Sequence, residues 1–130
     1  MFSWRRPGNL GVMGGRFAPC KRSPNCVSSQ ADPSDTEHYI APIAFRGDAI
    51  GAVRNVVQSL PRTRLIAADS HYLYAEFRSR LLRYVDDVEF HYDEKTGVIH
   101  VRSASRLGRR DFGVNRKRIE QLRRLIKPTP

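Results

Sequence analysis

The sequence predicts an α+β fold: two layers, an antiparallel sheet of about four strands with two helices, and an irregular N-terminal arm. Three observations predict it. Apolar residues recur at helical spacing after Gly47-Asp48 and again over 115–126. Alternation of period two fills the stretch between them. Residues 1–37 carry Gly8, Gly11, Gly14, Gly15, Pro7, Pro19, Pro24 and Pro33 without any sustained period, which reads as an arm. A chain of 130 residues suits one hydrophobic core, so 38–130 is read as a single α+β domain behind an arm over 1–37. With 40% hydrophobic and 28% charged residues the composition lies outside the signature of disorder.

Each element follows in order. Ala41 to Phe45 suits a short strand. Asp48 can cap a helix whose apolar positions are Ala49, Val53, Val56, Val57 and Leu60, and Pro61 ends it. Strands are expected at about Arg64–Ala68, His71–Phe77, Val85–Tyr92 and Val98–Ser103. Asp93-Glu-Lys-Thr-Gly97 joins the last two as a hairpin. The final helix, about Asn115 to Ile126, has Ile119, Leu122, Leu125 and Ile126 as its apolar stripe. Arg116, Lys117, Arg123, Arg124 and Lys127 fall on its solvent face.

Antiparallel pairing must place apolar residues of both hairpin strands on one face, and pairing Phe90 with Val101 does so. Val88, Phe90 and Tyr92 then join Ile99 and Val101, while Asp87, Glu89 and His91 share the other face with His100 and Arg102. Glu89 lies opposite Arg102, which suggests a cross-strand ion pair on a solvated face. The same register puts Asp86 on the inward face, opposite Ser105 and next to Ser103, where a carboxylate needs a partner. Arg118, at the edge of the apolar stripe, supplies one. The expected result is a partly buried cluster of Asp86, Ser103, Ser105 and Arg118, serving either as a structural lock or as part of a site.

Cys20 and Cys26 are too few for a disulfide scaffold, and the default reading is thiols in a reducing cytoplasm; a small disulfide loop requires export or redox activity. Five residues separate them, with His38 beyond, which matches zinc spacing poorly, so neither metal nor cofactor is expected. No run of 18 apolar residues occurs, so no membrane span is expected. The basic start Met1-Phe-Ser-Trp-Arg-Arg-Pro is not followed by an apolar region, so export by this segment is not expected. No nucleophile elbow, phosphate-cradling glycine loop or paired-histidine zinc motif is present. The balance of 23 Lys+Arg against 13 Asp+Glu, a formal +10, attracts acidic or phosphate-bearing partners from a distance without identifying them.

Cys20-Lys-Arg-Ser-Pro-Asn-Cys-Val-Ser-Ser29, Tyr84-Val-Asp-Asp-Val-Glu-Phe90, Val101-Arg-Ser-Ala-Ser-Arg106 and Asp111-Phe-Gly-Val-Asn-Arg-Lys-Arg-Ile119 together resemble the signature segments of domain-of-unknown-function family 1499. The likeness runs from about Gly11 to Ile126. It implies a bacterial and plastid family without an established activity, many of whose members are exported or membrane-anchored. The motifs coincide with polar positions reached above, including Asp86, Asp87, Glu89, Arg102, Ser103, Ser105, Arg106, Asp111, Asn115 and Arg118.

Three functional readings stand. The leading one is a small binding module for a polar or anionic ligand, or a partner protein, using Arg102, Arg106 and Arg118 as anion hooks around Asp86, with Asn25 and Cys26 of the arm closing over them. A second is an enzyme using Cys26 or Asp86; Asp86 and Asp87 point to opposite faces and cannot form a facing acid/base couple. The third is an electrostatic binder of nucleic acid or anionic membrane through the last helix. Nucleic acid is disfavoured because one Trp and scattered Tyr residues provide little stacking surface. The sequence carries no signal of oligomeric state.

Overall fold

Asp48 opens the first helix by accepting a hydrogen bond from Gly51 N at 3.1 Å, and the helix stops one residue short of Leu60, ahead of Pro61. The computed structural model of the chain describes residues 5–22, 25–80, 84–106 and 113–127. Its elements run β1 (Cys26–Ser28), β2 (Ile43–Ala44), α1 (Ala49–Ser59), β3 (Thr63–Ala68), β4 (Tyr72–Arg78), β5 (Val85–Asp93), β6 (Val98–Ser105) and α2 (Val114–Leu125).

The sheet is antiparallel, and the fold is α+β. It has six strands rather than about four, in the order β1-β6-β5-β4-β3, with β2 also paired to β6. β2 falls within the short strand expected over Ala41 to Phe45, whereas β1, three residues long, is too short to display a period. Both add to the free edge of β6: Cys26 to Ser28 lie opposite Ala104 to Arg102, and Ile43 and Ala44 lie opposite Ile99 and Val98. The hairpin takes the expected register, with Phe90 opposite Val101, Glu89 opposite Arg102 and Asp86 opposite Ser105. Gly97 turns that hairpin at φ 69°, in the left-handed region glycine enters without strain.

One face of the sheet forms the core with both helices. Leu73, Ala75, Phe77, Val88, Phe90, Ile99 and Val101 pack with Val53 and Val57 of α1 and Ile119 and Leu122 of α2. The stripe of α2 differs at its end: Ile126 is buried, but Leu125 is 46% exposed because the helix ends there. Two arginines expected on the solvent face are also tied down. Arg116 donates to the carbonyls of Thr36, Glu37 and Tyr39, and Arg123 donates to those of Ala41 and Pro42 at 2.7 Å. Lys117, Arg124 and Lys127 are exposed.

The opposite face of the sheet was expected to be solvated. Instead the arm covers it, and Glu76, Asp87, Glu89 and Arg102 are 3%, 2%, 0% and 5% exposed. Arg6 reaches Glu76, Gly11 N donates to Glu89 Oε2 at 2.7 Å, and Gln30 bonds Phe17 N and Gly15 O at 2.8 Å each. Gly11 takes φ 99° to present that N–H, a conformation any Cβ would strain. An arm without period can still be ordered, since its backbone is held by side chains distant in sequence.

The cysteines are not thiols. Cys20 and Cys26, the latter the first residue of β1, form a disulfide, with Cα atoms 5.6 Å apart. No helix among the described residues is long and apolar enough to cross a membrane.

Candidate functional site, two polar clusters back to back

Alternation along β5 and β6 sorts the predicted residues onto two faces. Asp86, Ser103, Ser105 and Arg118 come together on the helix side. Arg118 Nη1 lies 2.7 Å from Asp86 Oδ2 and donates to Asn115 Oδ1 at 3.0 Å and Ser103 Oγ at 3.4 Å. Asn115, fully buried in the first turn of α2, is the hub: it accepts from Ser103 Oγ at 2.5 Å and donates to Ser105 Oγ at 2.9 Å and to the Asn25 carbonyl at 3.1 Å. The Arg118 guanidinium also stacks on Phe77, 5.1 Å from the ring centroid. These bonds join α2, β1 and the sheet, so this cluster acts as a fastening between them.

Arg102 and Arg106 do not join it. They lie on the arm side, since even-numbered residues of β6 point opposite to Ser103 and Ser105. Arg106 Nη2 sits 2.6 Å from Glu76 Oε2 and 2.8 Å from Asp87 Oδ1, with Nε 2.9 Å from Asp87 Oδ2. The Tyr74 hydroxyl donates to Asp87 and lies 3.2 Å from Glu76 Oε2. The hydrogen bonds from Arg106 to Asp87 and Glu76 raise the arginine further above its ordinary range. Burial pushes the Glu76 carboxyl up, but hydrogen bonds from Arg6 and Arg106 outweigh that and hold it below its usual value. The Tyr74 hydroxyl is pushed well above its ordinary value by burial and by Asp87.

Arg102 is different. It is 5% exposed, Nη1 lies 3.6 Å from Glu89 Oε1, and among the described residues its guanidinium makes one hydrogen bond, a long 3.5 Å contact from Nη2 to the Pro19 carbonyl. Among the described residues, Arg102 Nε and Glu89 Oε1 have no hydrogen-bond partner. Burial lowers Arg102 and raises Glu89, each against the attraction of the other; Tyr72 O–H at 2.6 Å and Gly11 N–H further steady Glu89 through Oε2.

Arg102 lines a cavity of about 370 Å³ where the arm meets the sheet. Its walls include Arg106, Asp87, Asn25, Cys26 and Ser105, and the arm contributes Arg5, Pro7, Asn9 and Lys21. Of the predicted residues, Arg102, Arg106, Ser105, Asn25 and Cys26 therefore meet at one cavity, while Asp86, Ser103 and Arg118 lie behind the sheet. Asp111 lies outside the described residues.

Sequence reasoning passed over Tyr72, Tyr74 and Glu76. Their signal was present: three residues of alternating position on β4 place two tyrosines and a carboxylate on the face shared by Asp87 and Glu89, too much aromatic surface for open solvent. Arg5, Arg6 and Lys21 carried no signal, because only the fold of the arm brings them to the sheet. Three of the four histidines also gather at one place: His71, His91 and His100 line a groove at the other end of this face, where burial holds His91 and His100 below their ordinary pKa. Among the described residues no group of three or more His, Cys, Asp or Glu could hold a metal ion.

A family model described as protein of unknown function (DUF1499) matches residues 16–126. No curated protein and no solved structure matches the chain.

Proposed function

Given that the chain belongs to the DUF1499 family, a description that names no activity, we propose that it is a binding module for a small anionic ligand held in the cavity between arm and sheet. The observation that carries this reading is Arg102. A guanidinium buried to this degree is costly unless its donors are satisfied, and here Nε is unpaired while the cavity lies beside it. An oxyanion bound in the cavity beside this guanidinium supplies an acceptor that the protein does not, once a small shift of the side chain brings a donor to it. The cavity is at the small end of the range for ligand sites, which suits a metabolite-sized group.

In this reading the arm and the α+β unit work as one domain, because each contributes a wall. The disulfide supports an oxidising compartment over the reducing cytoplasm that free thiols implied. An enzyme using Cys26 or Asp86 has less support: the sulfur of Cys26 is in the disulfide, and Asp86 is held by Arg118. The electrostatic reading is weakened by Arg116 and Arg123, which are spent on backbone carbonyls.

Thermal unfolding in inorganic phosphate, against chloride at matched ionic strength, tests the reading. A saturable rise in Tm that disappears in Arg102→Gln is expected, because a ligand bound only by the folded state stabilises it by mass action. An equal, unsaturated rise in both proteins is the general effect of an excluded salt and contradicts it.

A further inference from the structure

We infer that the ligand group taken by this cavity is a compact dianionic oxyanion, of the phosphate-monoester or dicarboxylate kind; the inference rests on the proposed anion site and names its charge. The charges around the cavity decide it. Arg106 is matched by Asp87 at 2.8 Å, and Arg102 faces Glu89 at 3.6 Å, so these cancel in pairs. Arg5 and Lys21 remain. Both are exposed, both line the cavity, and neither has a hydrogen bond or ion pair among the described residues. The described residues thus leave two positive charges at the mouth of the cavity, with Arg102 in its wall.

A monoanion leaves one of those charges unmatched. A group with a third negative charge meets the carboxylate of Asp87, which shares the same wall. A dianion with several oxygens can face Lys21 and Arg5 with two of them and turn another toward the Arg102 guanidinium, an arrangement suited to phosphate-like geometry. Pro7, Ala104 and Cys26 supply apolar lining, so the body carrying the charge is expected to be short and partly apolar. Lys21 is held in place by a specific device: it lies inside the loop closed by the Cys20–Cys26 disulfide, which fixes that loop to the first residue of β1.

Calorimetric titration of the full chain at fixed ionic strength provides the test, with sulfate, inorganic phosphate and succinate as dianionic probes and acetate and nitrate as monoanionic ones. The dianions are expected to bind about fivefold to tenfold tighter, the ratio that one additional contact with an exposed cation provides. Lys21→Ala and Arg5→Ala, both at exposed positions, are each expected to weaken dianion binding more than monoanion binding and so to narrow that preference to within about threefold. Equal affinity for both charge classes overturns the dianion inference and leaves the anion site standing. Absence of binding by every probe overturns both. Comparing phosphate with succinate then tells whether the oxyanion is a phosphoryl or a carboxyl group.

Discussion

Arg102 and Glu89 face each other across β6 and β5, both buried, 3.6 Å apart, and each retains one polar atom without a hydrogen-bond partner. A pair built only for stability would close that gap, since breaking or loosening a buried ion pair leaves desolvation uncompensated. Asp86 and Arg118, on the other face, do close it at 2.7 Å. The contrast separates a fastening from a site.

Removing Arg102 exposes the cost of Glu89. Burial already raises this carboxyl, so its ionised form weighs against folding above its folded pKa, and that penalty is relieved as pH falls through it. Arg102→Met is therefore expected to cost about 3 kcal/mol near pH 8 and progressively less in acid. Denaturant unfolding of both proteins across pH measures this. A cost independent of pH contradicts it.

The helix-side cluster predicts a purely structural loss. Arg118→Met strands Asp86, which is 6% exposed, and takes the guanidinium donor away from Asn115 and Ser103, so a loss of about 3 kcal/mol is expected with phosphate binding to the remaining folded protein unchanged. A loss below about 1 kcal/mol would place this pair with ordinary surface ion pairs.

The histidines give stability a slope of opposite sign to that of Glu89. Burial depresses His91 and His100 below their ordinary 6.5, with His71 adding to the effect at His91. The unfolded chain then binds protons that the native state refuses, and stability falls as pH drops below 6.5 toward the folded values. The unfolding free energy of the native chain minus that of the variant His91→Gln, followed from pH 7.5 to 5, is expected to decline. A flat difference contradicts the burial of that ring as the cause.

Reduction should loosen the loop that carries Lys21. The disulfide closes a short loop, for which chain entropy accounts for about 2 kcal/mol. Cys20→Ser/Cys26→Ser is expected to lose about this much stability and to bind sulfate more weakly, with its fold retained by circular dichroism. Two freely titrating thiols in the native, unreduced chain would show that the bridge does not form.

The hairpin was legible because residues alternating over eight or nine positions specify a register, and that register alone brought Asp86 to Ser105 and Glu89 to Arg102. The same alternation divides Arg102 and Arg106 from Arg118, so the single cluster of anion hooks was already excluded by the pattern that suggested it. The environment of Glu89 was not legible. Its face looked solvated because the arm has no period, and an arm fixed by Gly11, Gln30 and Arg6 through single side-chain bonds leaves no trace in hydrophobic patterning. The disulfide was hidden for a related reason: two cysteines give no framework, and only the pairing of Cys26 with Ala104 brings the loop into bridging position.

Side-chain nuclear magnetic resonance of Arg102 during titration with inorganic phosphate tests the account most directly, because Arg102 Nε is the unpaired donor on which the site rests. The Nε–H resonance is expected to shift saturably, along the same isotherm that calorimetry reports. An Arg102 Nε–H resonance that stays still while phosphate perturbs only exposed residues such as Arg5 would contradict it.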